Sequence, residues 1–310
     1  MKILVTGGTG LVGYGIQQIC NQYDYEFIFM SSKDCDLVNY EATKTFFEKH
    51  KPDYVIHLAA CVGGLFKNMN QKVEMYEKNT LINCNVLKCC HELNVKKVIS
   101  CLSTCIFPDK TSYPIDETML HNGPPHCSND AYAYSKRMLE IHSKAYQQQY
   151  GKKFICVIPT NIYGENDNYN LNDAHVIPAL IHKCWLAQQK NEKFVVCGTG
   201  KPLRQFIYSR DLAILMMWTL EHYDSLDTLI LSVGEKEEIS IGNVTKLIAN
   251  EFCYDHMVEF DTGFSDGQFK KTANNSKLIK HYGDIVFTPI ETGIKKSVKW
   301  FQENYEKCRK

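Results

Sequence analysis

Seven residues near the start of the chain, Gly7-Gly8-Thr9-Gly10-Leu11-Val12-Gly13, constrain the fold more than any other feature. They follow a short apolar run at 2–6 and precede an apolar-periodic stretch at 13–22, so the glycines fall at a strand–turn–helix junction. Backbone without Cβ atoms can come close to a pyrophosphate there, and the free N–H groups of the first helical turn face the anion. This spacing predicts that Gly7, Gly10, Leu11, Val12 and Gly13 hold the phosphates of a dinucleotide.

The rest of the first half keeps the same rhythm. Strands are predicted at 26–30, 54–60, 97–102 and 154–158, with helices at 40–50, 69–93 and 131–150 between them. Continuous apolar strands alternating with helices predict a parallel sheet covered on both faces, here of the doubly wound α/β Rossmann class. From about residue 163 the spacing becomes irregular. An Asn- and Asp-rich loop at 165–173 leads to a helix at 175–189 and then to short elements. The expected organisation is a dinucleotide-binding domain at 1–164, to which the chain returns near 205–235, and a smaller α/β substrate domain within 165–310.

Composition excludes several classes of function. Lys and Arg number 35 and Asp and Glu 35, so no global field draws the protein to nucleic acid or anionic lipid. The longest apolar run, at 212–220, falls well short of the roughly 18 residues of a membrane span. Met1-Lys2-Ile3-Leu4-Val5 runs directly into glycine without the apolar core of a signal peptide. The 14 cysteines among 310 residues lie below the roughly 8–10% of a disulfide scaffold, and none shows zinc-ligand spacing. These features predict reduced thiols, a cytoplasmic protein and no metal.

The second strand ends in Ser31-Ser32-Lys33, where an NAD site usually places an acid on the ribose. Two hydroxyls and a cation suit a 2′-phosphate better, so the expected cofactor is NADP(H), held there by Ser32 and Lys33. The alternative is a solvated Lys33 with Asp34 or Asp36 nearer the ribose. Asp36 and Leu37 are expected near the adenine, and Leu58, Ala59 and Ala60 against the cofactor at the end of the third strand. His57, an apolar-flanked histidine at a strand end, is read as filling space.

Tyr132 and Lys136 stand four apart on a helix and therefore on one face. An ammonium beside a phenol lowers the phenol's pKa, and such a pair can move a proton to or from a carbonyl oxygen. Ser103, closing the preceding strand, is placed to hydrogen-bond the same oxygen. Cys105 lies two residues on; in an extended segment it would face the same cavity and act as a carbon-acid base. His175, at a helix start, is the candidate partner acid. Tyr134 lies on another helix face and is read as structural.

The glycine turn, Ser103 and the Tyr132/Lys136 pair resemble the extended short-chain dehydrogenase/reductase superfamily. Ser103-Thr104-Cys105-Ile106-Phe107-Pro108, Pro159-Thr160-Asn161-Ile162-Tyr163-Gly164, His175-Val176-Ile177-Pro178 and Ser265-Asp266-Gly267-Gln268-Phe269-Lys270-Lys271 narrow the resemblance to the GDP-L-fucose synthase family. The resemblance implies C3 and C5 epimerisation of GDP-4-keto-6-deoxy-D-mannose by Cys105 as base and His175 as acid. NADPH-dependent reduction at C4 follows, using Tyr132, Lys136 and Ser103. It also implies cofactor contacts from Tyr132, Lys136, Pro159, Asn161, Ile162 and His175. The GDP-sugar would be held by Asn161, Lys183, Arg204 and Lys271, within a homodimer formed through the helices at 69–93 and 131–150. The alternative is another NAD(P)-dependent nucleotide-sugar 4-epimerase or dehydratase of the same superfamily. Departures from the family pattern are Cys197 in place of a tryptophan, Thr9 in place of a bacterial arginine, and Lys183 in place of an arginine.

Overall fold

The computed structural model describes residues 1–264, 266 and 268–310, without the side chains of Leu65 and Phe66. Ser265 and Gly267 of the family-like segment thus lie outside the described residues. The first half of the chain contains strands β1 (Lys2–Thr6), β2 (Glu26–Met30), β3 (Tyr54–His57), β4 (Lys97–Cys101), β5 (Lys153–Pro159) and β6 (Asn161–Tyr163). Its helices are α1 (Leu11–Gln17), α2 (Tyr40–His50), α3 (Leu65–Asn70), α4 (Lys72–Glu92) and α5 (Asp130–Tyr150). There follow α6 (Val176–Lys190), β7 (Phe194–Cys197), β8 (Leu203–Arg204), β9 (Phe206–Tyr208), α7 (Ser209–His222) and β10 (Leu229–Leu231). The chain ends with β11 (Ile239–Ser240), α8 (Ile241–Glu251), β12 (Val258–Asp261), α9 (Ser276–Tyr282) and α10 (Ile290–Glu303).

Six strands form one sheet in the order β10-β5-β4-β3-β1-β2, every pairing parallel. Successive strand residues go to opposite faces, because side chains alternate along a strand. Leu4, Val55, Val98, Phe154 and Cys156 join one core with α2, α4 and α5. Ile3, Val5, Ile56, Ile99, Ile155 and Val157 join the other with α1 and α7. Each such fully buried aliphatic side chain contributes about 1.5–3 kcal/mol through loss of contact with water. A third core, built on Tyr163, Tyr169, Ile181, Phe194, Ile248 and Phe301, lies among α6, α8, α10 and the short strands.

Three boundaries depart from the sequence expectation: the strand predicted at 54–60 stops at His57, and two helices differ. The predicted 69–93 helix is two helices, broken at Gln71, whose φ of −122° and ψ of 44° are not helical. The predicted 13–22 helix starts at Leu11, stops at Gln17 and is followed by a 3-10 turn at Cys20–Gln22. Strand order reverses between β1 and β3, with β2 on one side and β4 on the other. A crevice therefore opens beyond their carboxyl ends, the usual ligand position in open α/β sheets.

Candidate active site

The glycine turn sits at the floor of that crevice. Gly7 adopts a φ of +67°, and a Cβ there would come within 2.9 Å of the Ala59 amide nitrogen. A Cβ on Gly13 would lie 2.3 Å from the Gly8 carbonyl oxygen, so α1 can pack on the turn only with glycine at that position. Gln17 donates to the Gly8 carbonyl at 2.8 Å and ties the helix back onto the turn. Thr6 pins the end of β3, accepting from the Ala59 amide at 3.2 Å while contacting His57 Nδ1 at 2.8 Å. His57 also meets Asn83 at 3.1 Å; full burial first, and the Lys136 charge second, hold its pKa down to about 3. It is a neutral structural group, as its apolar setting suggests.

A cavity of about 760 Å³ runs from this turn along the carboxyl edge of the sheet. Gly7, Gly10, Leu11, Val12 and Gly13 line its floor, Ser32, Asp36 and Leu37 one end, and Leu58, Ala59 and Ala60 its middle. Ser103, Tyr132, Lys136, Pro159, Asn161, Ile162, His175 and Arg204 complete the wall. Lys33 is exposed and stands outside this lining, as does Lys183. The lysine that does line the Ser32–Asp36 end is Lys78 of α4, paired with Glu74 one turn away. Asp34, the alternative ribose partner, accepts instead from the Ser31 hydroxyl at 2.6 Å and the Ser31 amide at 2.8 Å.

Tyr132 and Lys136 both face the cavity from α5, but their electrostatics differ from the sequence expectation. Burial pushes the Tyr132 phenol well above its ordinary range, with the Cys105 thiol adding to the rise. The Lys136 ammonium donates to the Cys101 carbonyl at 2.8 Å, and burial lowers its pKa. The Tyr132 shift is therefore upward, opposite to the sequence expectation, and burial is its largest cause.

Cys105 also departs from expectation. The parity argument assumes extended backbone, whereas Thr104–Ile106 is a 3-10 turn capped by Ser103, whose hydroxyl accepts from the Cys105 amide at 3.4 Å. The turn directs Cys105 into a small adjoining cavity that it shares with Lys271. Thr104 lines both cavities, so this turn is the partition between them. Burial raises the Cys105 thiol, while Ser103, Lys271 and Lys136 pull it back down. The buried Arg137 holds the partition, donating to the Ile106 carbonyl at 2.6 Å and to the Gly123 carbonyl at 2.8 Å.

His175 is the N-cap residue of α6 and makes no side-chain cap hydrogen bond. Its ring is exposed toward the large cavity, yet the surrounding walls lower its pKa, with Asp173 opposing them. Arg204 is fixed by the Leu203 and Gln268 carbonyls, each at 2.7 Å, and Asn161 by the Gln205 carbonyl at 2.9 Å. Lys183 lies on α6 with its nitrogen 4.0 Å from the Cys197 sulfur.

The charged cavity residues that sequence reasoning missed include Lys78, Asp167 and Arg309. Asp167 is buried, and burial raises its pKa to about 7. Arg309 donates to the Asn166 carbonyl at 2.6 Å, and Asn166 donates to the Thr9 carbonyl of the glycine turn at 3.0 Å. No local motif marks these residues, because each reaches the site from an element distant in sequence.

Comparison with known proteins supplies the context. Residues 3–242 match the model of the NAD dependent epimerase/dehydratase family. The chain is similar to a GDP-L-fucose synthase of Dictyostelium discoideum, 57% identical over 99% of this chain and 97% of that protein. It is also similar to a probable GDP-L-fucose synthase of Drosophila melanogaster, 51% identical over 100% of this chain and 99% of that one. Among solved structures, a GDP-L-fucose synthetase of Naegleria fowleri bound to NADP superposes with a TM-score of 0.95. It is 50% identical and covers 100% of this chain and 95% of its own.

Proposed function

Because the chain belongs to the NAD dependent epimerase/dehydratase family, and within it to the GDP-L-fucose synthases, we propose that the large cavity converts GDP-4-keto-6-deoxy-D-mannose to GDP-L-fucose. Inversion at C3 and C5 precedes reduction at C4. The cofactor is NADP(H). The glycine turn fits it: Gly7 and Gly13 occupy positions where a Cβ would collide, leaving bare backbone for the pyrophosphate. Ser32, Asp36 and Leu37 suit the adenosine half, and Leu58, Ala59, Ala60, Pro159 and Ile162 the apolar wall beside it. When bound, the reduced dinucleotide supplies the hydride for C4.

The chain's own residues supply binding and proton transfer. Cys105 takes the proton from C3 and then from C5, and His175 delivers one on the opposite face. Tyr132, kept as a phenol by burial, donates its proton to O4. Ser103 hydrogen-bonds the same oxygen, and Lys136, fixed by the Cys101 carbonyl, orients the ribose of the cofactor. Arg204 and Asn161 hold the GDP-sugar from the cavity wall. Lys183, beyond the wall, adds positive charge for the pyrophosphate, whereas Lys271 lines the small cavity beside Cys105 and not the large one. The observation that carries this reading is a single cavity lined by the glycine turn, Ser103, Tyr132, Lys136, His175 and Arg204, with Cys105 in its partition. A 4-epimerase or dehydratase is not favoured, because the full-length relatives are GDP-L-fucose synthases.

Dinucleotide binding is assigned to residues 1–164 with the return at 205–235, and sugar-nucleotide binding to the remainder; the separate third core supports this division. A homodimer through α4 and α5 is supported by exposed apolar residues on this packed pair, Val73, Tyr76 and Leu81 on one helix and Tyr134, Met138 and Ile141 on the other. Fourteen free thiols fit a reducing, cytoplasmic setting. Among the described residues, no helix is long and apolar enough to cross a membrane. The test is incubation with GDP-4-keto-6-deoxymannose in D2O. Deuterium at C3 and C5 without NADPH, and NADPH oxidation matching GDP-L-fucose formed, are expected. NADPH binding without turnover, or retained NAD without net oxidation, would overturn the reading.

A further inference from the structure

We infer that the small cavity behind the partition is a proton exit for Cys105, leading past Lys271 to Asp109 or His126 at the surface. The inference rests on the reading of Cys105 as the carbon-acid base and extends it to how that base is reset.

Inversion by a base on one face and an acid on the other leaves both groups in the wrong protonation state. After the first inversion Cys105 holds a proton as a thiol and His175 has lost one. The second carbon cannot be inverted until each is restored. His175 is exposed at the large cavity and regains its proton from solvent there. Cys105 sits in the partition itself, and substrate bound in front of it would block the large cavity as a route out.

The small cavity supplies the alternative. Cys105, Asp109, Tyr113, His126, Gln268 and Lys271 are among its lining residues, and its volume of about 10 Å³ is close to the minimum needed for one water molecule. Tyr113 and Gln268 bond to each other at 2.6 Å and form a polar wall. Burial lowers the Lys271 pKa and Arg204 adds to the fall, while Cys105 and Asp109 oppose it. Asp109 is anchored by its amide on the Pro124 carbonyl at 3.0 Å. Its carboxylate oxygen is 4.0 Å from His126 Nε2, and the two side chains are 41% and 47% exposed. A partly buried thiol, a confined cation, a half-exposed carboxylate and a half-exposed imidazole thus line one small cavity.

The transfer balances without any redox partner. The Cys105 S–H bond breaks and its proton passes to the cavity water. That water releases a proton to the Asp109 carboxylate or a His126 ring nitrogen, and from there it reaches bulk solvent. The thiolate left behind is stabilised by the Lys271 ammonium. Net, one proton leaves on the Cys105 side for each inversion, and one enters on the His175 side.

The test uses the full chain carrying Asp109→Asn and His126→Ala together, with GDP-4-keto-6-deoxymannose in D2O and no NADPH. Deuterium exchange should fall about a hundredfold in the steady state, the scale of a lost general base. Added imidazole buffer should restore it, which a merely structural loss would not allow. NADPH affinity should be unchanged and serves as the check on folding. Unchanged steady-state exchange, or a loss that imidazole does not restore, would overturn the exit. If Cys105→Ser instead leaves exchange intact, the underlying assignment of Cys105 fails, a result distinct from failure of the exit alone.

Discussion

The two ends of the large cavity solve recognition in different ways. At the glycine turn the work is done by backbone: a positive φ at Gly7 and a helix packed against Gly8 through Gly13. At the Ser103–His175 end it is assigned to four titratable side chains from three separate elements, each displaced from its ordinary pKa by burial. Backbone recognition is local in sequence, tolerates no added atoms and is nearly independent of pH. Side-chain chemistry is assembled by the tertiary fold and is pH-dependent throughout. One end binds by shape; the other reacts by charge.

That contrast can be broken or sharpened by substitution. Tyr132→Phe removes a proton donor without altering the glycine end, so C4 reduction should slow by about 10³-fold while C3 and C5 exchange continues. Single-turnover NADPH oxidation beside deuterium uptake would check it, and equal loss of both would erase the division of labour. Gly13→Ala should act at the other end, through the 2.3 Å collision of its Cβ with the Gly8 carbonyl oxygen. A stability loss of about 3 kcal/mol is expected, with weakened NADPH binding, read by denaturant unfolding and fluorescence titration.

The pH dependence separates the ends further. The proposed exchange needs Cys105 deprotonated and His175 protonated, yet the structure raises the first above its ordinary 9.0 and lowers the second below 6.5. The productive form shares its proton count with the dominant thiol–imidazole form. Exchange should therefore plateau through neutrality, falling on the acid side only below 6.5 and on the alkaline side only above 9. NADPH affinity should stay flat over the plateau. The smallest effect expected is at the adenosine end, where Lys78→Ala should weaken NADPH binding about fivefold, as for an exposed charge contact, and leave NADH binding unchanged. Lys33→Ala should do less, because that side chain stands outside the cavity lining.

The sequence was most readable where function depends on local backbone. Strands β1 and β2 and helix α2 have their expected bounds, and the glycine turn lies where its spacing predicts. The reading of Cys105 missed its direction because parity holds only along extended chain, and a 3-10 turn intervenes. The Tyr132 expectation reversed because spacing on a helix says which groups are neighbours but not how deeply they are buried. Lys78, Asp167 and Arg309 were invisible because they reach the cavity from α4, from a loop and from the segment after α10. A helix surface lysine in sequence looks the same whether it faces solvent or a cofactor.

The central claim is that Cys105, in the partition between two cavities, is the base of the epimerisation. Its most direct test is deuterium incorporation at C3 and C5 of GDP-4-keto-6-deoxymannose by Cys105→Ser, without NADPH, beside the wild-type chain. Loss of exchange by at least about 10²-fold with NADPH affinity unchanged is expected. Wild-type exchange in the variant would contradict it.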